Sequence, residues 1–295
     1  MVTTFFSIGE HSRFMPSLTP EREMNNLLHS QPFQSACMEE GPDRYRDLVG
    51  RQSESFRAWA AAQYALLGAM KPVDSSLGHV LETGLIPDGM ICEFGVCTGR
   101  STNLMARALA PREVFGFDSF EGLPDDWVVG DLTVPRGFLA VDANKLQFES
   151  NVNLVKGFFN ETLPGFLREH TGPIGLMHVD CDTYESTVDI LKLAGDQLQS
   201  GSIIVFDEIL GDMGLENELK AMWEFLQRTP RAIEWINWGG HCWTAETQGS
   251  FNDIKRPDFS HKLKTILANP GYVIRHLRND KKIEECTSAA ALRFS

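Results

Sequence analysis

The stretch ICEFGVCTGRS, Ile91 to Ser101, decides the fold. Its first part is an apolar, strand-like run that carries one acid, Glu93. Gly95 and Gly99 follow, four residues apart, and the hydroxyl of Ser101 stands where a helix would begin. A strand that turns through glycines into a helix is the opening unit of an α/β sheet. It aims helix N-terminal N–H groups at whatever occupies the turn. The reading predicts a strand, a tight turn and a helix N-terminus capped by Ser101.

Working outward, the same alternation continues. GMICEFG, EVFGFDSF, VNLVKGFF, IGLMHVD, SIIVFDE and AIEWINW read as strands. Between them STNLMARALA, YESTVDILKLAGDQL and LENELKAMWEFLQ read as amphipathic helices, the second with Tyr184, Val188, Leu191 and Leu198 on one face. Near-continuous apolar strands separated by helices predict an α/β, Rossmann-like, mostly parallel seven-stranded sheet with helices on both faces. TSAAALRF is preferred over HCWTAE as the final strand, which makes 241–285 an insertion containing the helical stretch FSHKLKTILAN. Residues 1–74 read as an N-terminal helical extension, ahead of a main domain over 75–295. Phe5, Phe6 and Phe14 have no evident core partner and are expected to pack on a second subunit or over the site. A homo-oligomer is therefore in view.

A dinucleotide turn would read G-x-G-x-x-G. Here the pattern is E-x-G-x-x-x-G-x-S, over Glu93, Gly95, Gly99 and Ser101. The leading acid and the wider glycine spacing suit S-adenosylmethionine better. Its zwitterionic tail offers an ammonium to carboxylate or carbonyl partners and a carboxylate to the helix start. Glycine lets the backbone approach closely. At the end of the next strand, Asp118, followed by Ser119, is placed to accept from ribose hydroxyls. Gly157 and Phe158 follow the third strand, where an adenine ring would pack, although Phe158 could equally be core.

EFGVCTGRSTNLMA, GFDSFEGLPDDW, GFFNETLP, HVDCDTYEST and IIVFDE occur in this order. Together they resemble the macrocin O-methyltransferase family, which methylates deoxysugar hydroxyls on macrolides and related natural products. The resemblance covers roughly residues 75–230. It implies a class I methyltransferase fold, S-adenosylmethionine as donor and often a divalent cation, typically magnesium.

Two strand ends are dense in acids: Asp180 and Asp182 in HVDCD, Asp207 and Glu208 in FDE. If these strands are neighbours, three or four carboxylates converge, which is unfavourable without a counter-cation. Hard oxygen ligands in this number suit magnesium. By resemblance, Asp180, Asp207 and Glu208 take the family's three metal-ligand positions, with Glu208 standing where Asp is common. Asp182 is either near that site or the cap of the helix beginning TYEST.

A neutral alcohol is a poor nucleophile, and a bound cation acidifies it. Asp180 is thus a catalytic candidate, with His241 a candidate general base. His178 reads as a buried, hydrogen-bonded strand residue. The long connection from Glu121 to Ser150 either folds over the acceptor as a lid or holds a short helix.

The formal net charge of −13, from 27 basic and 40 acidic residues, disfavours a nucleic-acid partner. Six cysteines without CxxC or zinc spacing suit a reducing cytoplasm. No signal peptide or membrane-spanning run is read, so a cytoplasmic, small-molecule enzyme is expected. Alternatives are a metal-free methyltransferase and a catalytically silent relative. A nicotinamide oxidoreductase is disfavoured by the glycine spacing.

Overall fold

The structure, a computed structural model, describes residues 48–129, 132–240 and 287–295, together with Arg22, Asn26 and Ser30. His241, Phe5, Phe6, Phe14, HCWTAE and the stretch FSHKLKTILAN lie outside the described residues.

Helix α1 (Glu54–Gly68) is capped by Ser53 and buries Phe56, Ala60, Ala61, Tyr64 and Leu67. These side chains join the main core cluster, so α1 is part of the packed body. The Tyr64 hydroxyl accepts from the Gly211 amide at 2.8 Å, and the Trp235 indole donates to Gln63 at 3.0 Å. Helix α2 (Ser76–Thr83) starts at the Ser75 cap and stops at Gly84, whose φ of 65° is the left-handed conformation that ends helices.

The sheet then builds by alternation. In chain order it contains β1 (Met90–Phe94), α3 (Arg100–Ala108), β2 (Val114–Asp118), β5 (Val152–Lys156), α4 (Phe159–Glu169), β6 (Ile174–Val179), α5 (Tyr184–Ala194), β7 (Leu198–Gly211), α6 (Asp212–Glu216), α7 (Glu218–Arg228), β8 (Ile233–Gly239) and β9 (Thr287–Phe294). A separate small hairpin, β3 (Trp127–Val129) with β4 (Leu132–Val134), lies in the β2–β5 connection. The seven-stranded order is β5-β2-β1-β6-β7-β9-β8. β5, β2, β1, β6 and β7 run parallel, while β9 is antiparallel to both β7 and β8. The expected seven-stranded, mostly parallel sheet is present, and TSAAALRF is its strand β9.

Local details differ from the sequence reading. Helix α3 begins at Arg100 with Gly99 as its cap, and no side chain caps it; Ser101 is a buried residue inside the first turn. Gly99 wins because its φ of 79° makes the turn into the helix. Helix α5 ends at Ala194, a short 3-10 turn follows, and Leu198 opens β7 rather than completing a helix face. The helix expected across LENELKAMWEFLQ is broken at Asn217, whose side-chain oxygen accepts from the Tyr184 amide at 3.1 Å. β7 runs on to Gly211, so Asp207 and Glu208 lie within it. They stand just past its last pair with β6, Val179 with Phe206, where its register against β9 shifts.

The connection from Glu121 to Ser150 contains the hairpin and a 3-10 turn at Ala143–Lys145. Val96 of the glycine turn clusters with Phe120 and Val141, and Phe148 packs beside them. No helix among the described residues is long and apolar enough to cross a membrane.

Candidate active site

The turn after β1 is shaped by close backbone approach. Gly95 has a φ of 99°, and a Cβ there would lie 1.6 Å from the Asp180 carbonyl oxygen. A Cβ on Gly99 would meet the Phe148 ring at 2.5 Å. Both positions require glycine. The turn is pinned from β2. Asp118 Oδ2 accepts from the amides of Val96 at 2.9 Å and Cys97 at 2.7 Å, and Oδ1 accepts from Phe120 at 2.6 Å. Burial pushes the Asp118 carboxyl up, and these three amides pull it down. Ser119 Oγ accepts from the Glu121 amide at 3.1 Å, fixing the next turn. Gly157 sits beside Asp118, donating its amide to the Asp118 carbonyl at 3.0 Å. Phe158 is half-buried at the start of α4, whereas Phe159 packs into the core against Phe94. Gly95, Gly99, Asp118, Ser119, Gly157 and Phe158 therefore gather at the carboxyl ends of β1, β2 and β5, where open α/β sheets bind ligands.

Glu93 is placed differently. It is fully buried, and Thr102 Oγ1 donates to its Oε2. Its Oε1 lies 3.0 Å from His178 Nδ1. The register explains this contact, because Glu93 pairs with His178 across β1 and β6. Glu93 thus serves the interior of the sheet and offers no exposed oxygen to a ligand.

The acids do converge. Burial, then Asp207 and Asp182, raise the Asp180 carboxyl well above its usual range. Burial, then Asp182, Asp180 and Asp207, do the same to Glu208. Asp182 is pushed up to about 7 by burial, Asp207 and Asp118. Asp207 contributes to raising each of them. The capping role open to Asp182 is taken by Thr183, whose hydroxyl accepts from the Ser186 amide. Asp182 instead adopts a φ of 63°, and the charges of Asp207 and Asp118 both act on its carboxyl.

Sequence reasoning missed Glu218. It is fully buried at the start of α7, its Oε2 accepting from the Glu208 amide at 3.1 Å. Oε1 has no hydrogen-bond partner among the described residues. Burial and Asp207 raise its carboxyl well above the usual range. The signal was available: Glu218 falls four before Met222 and seven before Phe225, on the apolar face of its helix.

Repelling buried carboxylates of this number fit a cation. Glu208 Oε2 and His178 Nε2 are both buried and have no hydrogen-bond partner among the described residues. His178, Asp180 and Asp207 each offer one ligand atom, and these atoms lie within 4.8 Å of one another.

Residues 92–209 match the family described as "Methyltransferase domain". That segment is a methyltransferase domain, and the sheet around it has the class I methyltransferase fold. The chain is an S-adenosylmethionine-dependent O-methyltransferase, and its resemblance to the macrocin O-methyltransferase family stands. Among curated relatives, a tetracenomycin-C 4'-O-methyltransferase from Streptomyces olivaceus, acting on an 8-(2,3-dimethoxy-alpha-L-rhamnosyl) derivative, is 28% identical over 212 residues, 64% of this chain and 77% of that protein. Demethyldecarbamoylnovobiocin O-methyltransferase from Streptomyces niveus is 25% identical over 190 residues, 56% of this chain and 69% of that protein. A solved calicheamicin methyltransferase is 23% identical with a TM-score of 0.45, covering 67% of this chain and 90% of that one.

Proposed function

We propose that this methyltransferase transfers the methyl group of S-adenosylmethionine to a sugar hydroxyl on a natural-product scaffold, with a divalent cation, magnesium in the simplest case, held by Asp180 and Asp207 and completed by Glu208. The observation that carries the reading is the convergence of Asp180, Asp182, Asp207, Glu208 and Glu218 beside the glycine turn, each raised carboxyl owing part of its shift to Asp207. Two curated relatives named as O-methyltransferases of a tetracenomycin-C derivative and of demethyldecarbamoylnovobiocin support the acceptor class, the first bearing a rhamnosyl group in its name.

The chain's own residues divide the work. The amides opening α3 face the donor's carboxylate, and Asp118 orients the ribose from the end of β2. Gly95 and Gly99 let the donor approach the backbone. When bound, the cation supplies Lewis acidity that lowers the acceptor hydroxyl's pKa. The acceptor oxygen's electron pair forms the new bond to the methyl carbon as the carbon–sulfur bond breaks. Sulfur keeps that electron pair, leaving S-adenosylhomocysteine. The hydroxyl proton passes to Asp182, whose carboxyl is raised to about 7 and is not spent on capping. His241 is the alternative proton acceptor. The chain leaves β8 at Gly239 and re-enters the sheet at Thr287 on this same edge, so residues 241–285 are proposed to shape acceptor choice.

Incubating the protein with S-adenosylmethionine and a panel of rhamnosyl and deoxysugar glycosides, with magnesium or with chelator, tests the proposal by mass spectrometry. A magnesium-dependent gain of one methyl on the sugar is expected. Methylation confined to sugar-free phenols, or full turnover in chelator, would overturn it.

A further inference from the structure

We infer that this cation site has a mixed nitrogen–oxygen donor set, with His178 Nε2 a ligand beside Asp180 and Asp207, and that it takes a first-row transition ion in preference to magnesium. The inference rests on the cation site proposed above and departs from it in the donors and the ion.

His178 is fully buried in the middle of the sheet. Its Nδ1 lies 3.0 Å from Glu93 Oε1, and the tautomer that satisfies this contact has Nδ1 donating to the carboxylate. In the neutral ring, Nε2 is then a lone pair. Among the described residues that nitrogen has no hydrogen-bond partner, and it faces Asp207 Oδ1 across 3.9 Å. The gap is too long for a hydrogen bond. It suits two ligands on one ion: bonds of about 2.0–2.2 Å allow their donor atoms to stand up to about 4 Å apart. Asp180 brings its carboxylate within the same 4.8 Å group.

A buried acceptor aimed at a carboxylate is costly unless something positive lies between them. The surroundings are those of a metal-binding histidine, whose second ring nitrogen characteristically donates to a carboxylate that fixes tautomer and orientation. Here Glu93 is that carboxylate, and buried Thr102 holds its other oxygen. The strand register sets the alignment. Glu93 pairs with His178, His178 pairs with Val205, and Asp207 follows two residues on, on the same face. Imidazole nitrogen suits iron, nickel, copper and zinc, whereas magnesium prefers oxygen donors; manganese, the weakest first-row ion at nitrogen–oxygen sites, serves as the paramagnetic probe.

The test is a titration of untagged, metal-free protein with manganese(II). Electron paramagnetic resonance counts bound ion, and electron spin echo modulation reads coordinated nitrogen. One bound ion with histidine nitrogen coupling is expected, displacing magnesium in direct competition. His178→Gln should abolish the coupling, and Glu93→Gln should weaken manganese binding about 10–100-fold. Bound manganese without nitrogen coupling, or coupling that survives in His178→Gln, overturns the inference while leaving the proposed cation site standing. Binding of neither ion overturns both. Should His178→Gln fail to fold by circular dichroism, His241→Gln decides: retained coupling supports His178, and lost coupling overturns it.

Discussion

Gly95 and Asp180 are in contact through their backbones: a Cβ on Gly95 would sit 1.6 Å from the Asp180 carbonyl oxygen. The glycine turn and the first residue of the acid cluster are thus one packed unit. The Asp180 amide also donates to the Phe94 carbonyl at 2.9 Å. Gly95→Ala cannot be accommodated at a φ of 99° without separating them. The substitution should remove more than about 2 kcal/mol of stability, roughly 4–8 °C in Tm. It should also weaken donor and cation binding together. A melting curve matching the parent would show that the approach is not as close as described.

Asp118 spends its carboxylate on three backbone amides of the turns around it. Asp118→Asn places an N–H group against N–H donors. Losing a hydrogen bond to a charged group costs roughly 1.5–3 kcal/mol, about tenfold or more in affinity. S-Adenosylmethionine affinity by calorimetry should fall by at least that factor. Unchanged affinity would remove Asp118 from the donor site.

Asp180→Asn and Asp207→Asn should each abolish cation-dependent turnover. Asp207→Asn should leave donor affinity within about threefold of the parent, since a loss near one hydrogen bond, about tenfold, is not expected there. Glu208→Asp, by resemblance the commoner residue, should retain activity. Equal loss of donor affinity in Asp207→Asn would mean the acids serve the donor rather than a cation.

The acid cluster sets a pH dependence whose sign follows from the raised carboxyls. Asp182 goes from 3.8 to about 7 on folding, so between those values the folded chain binds more protons than the unfolded one. Stability of the metal-free protein therefore falls as pH rises through that window, by linkage. Added divalent cation should raise Tm most at pH 8 and flatten the profile. Glu218→Gln removes one buried carboxylate while keeping an acceptor for the Glu208 amide, so it should raise the metal-free Tm at pH 8. A metal-free Tm that climbs from pH 5 to pH 8 would contradict the cluster's electrostatics.

The alternation that defines the sheet was legible because buried parallel strands are continuous apolar runs, and the glycine turn because its spacing has a steric cause. Asp118, Asp180 and Asp207 follow strand runs, so their gathering at one edge could be anticipated. Helix ends were not legible. Ser101 and Gly99 both suit a helix start, and only the backbone at Gly99 decides between them. Asp182 and Thr183 competed for one cap in the same way. The inward turn of Glu93 depends on which residue of β6 lies opposite it, and no run of residues within β1 states that His178 does. Glu218 was hidden by habit, since a charge within a helical repeat is usually solvated.

β9 is the last strand in the chain, yet it lies between β7 and β8. Among the described strands β8 has no other neighbour in the sheet, so without residues 287–294 it is left unpaired there and the flank of β7 stands open. Assembly of this half of the molecule is therefore deferred to the final segment and closes over widely separated positions, a slow kind of pairing. During synthesis the nascent chain carries an exposed apolar edge beside a nearly finished donor site, the state most prone to sticking to its own copies.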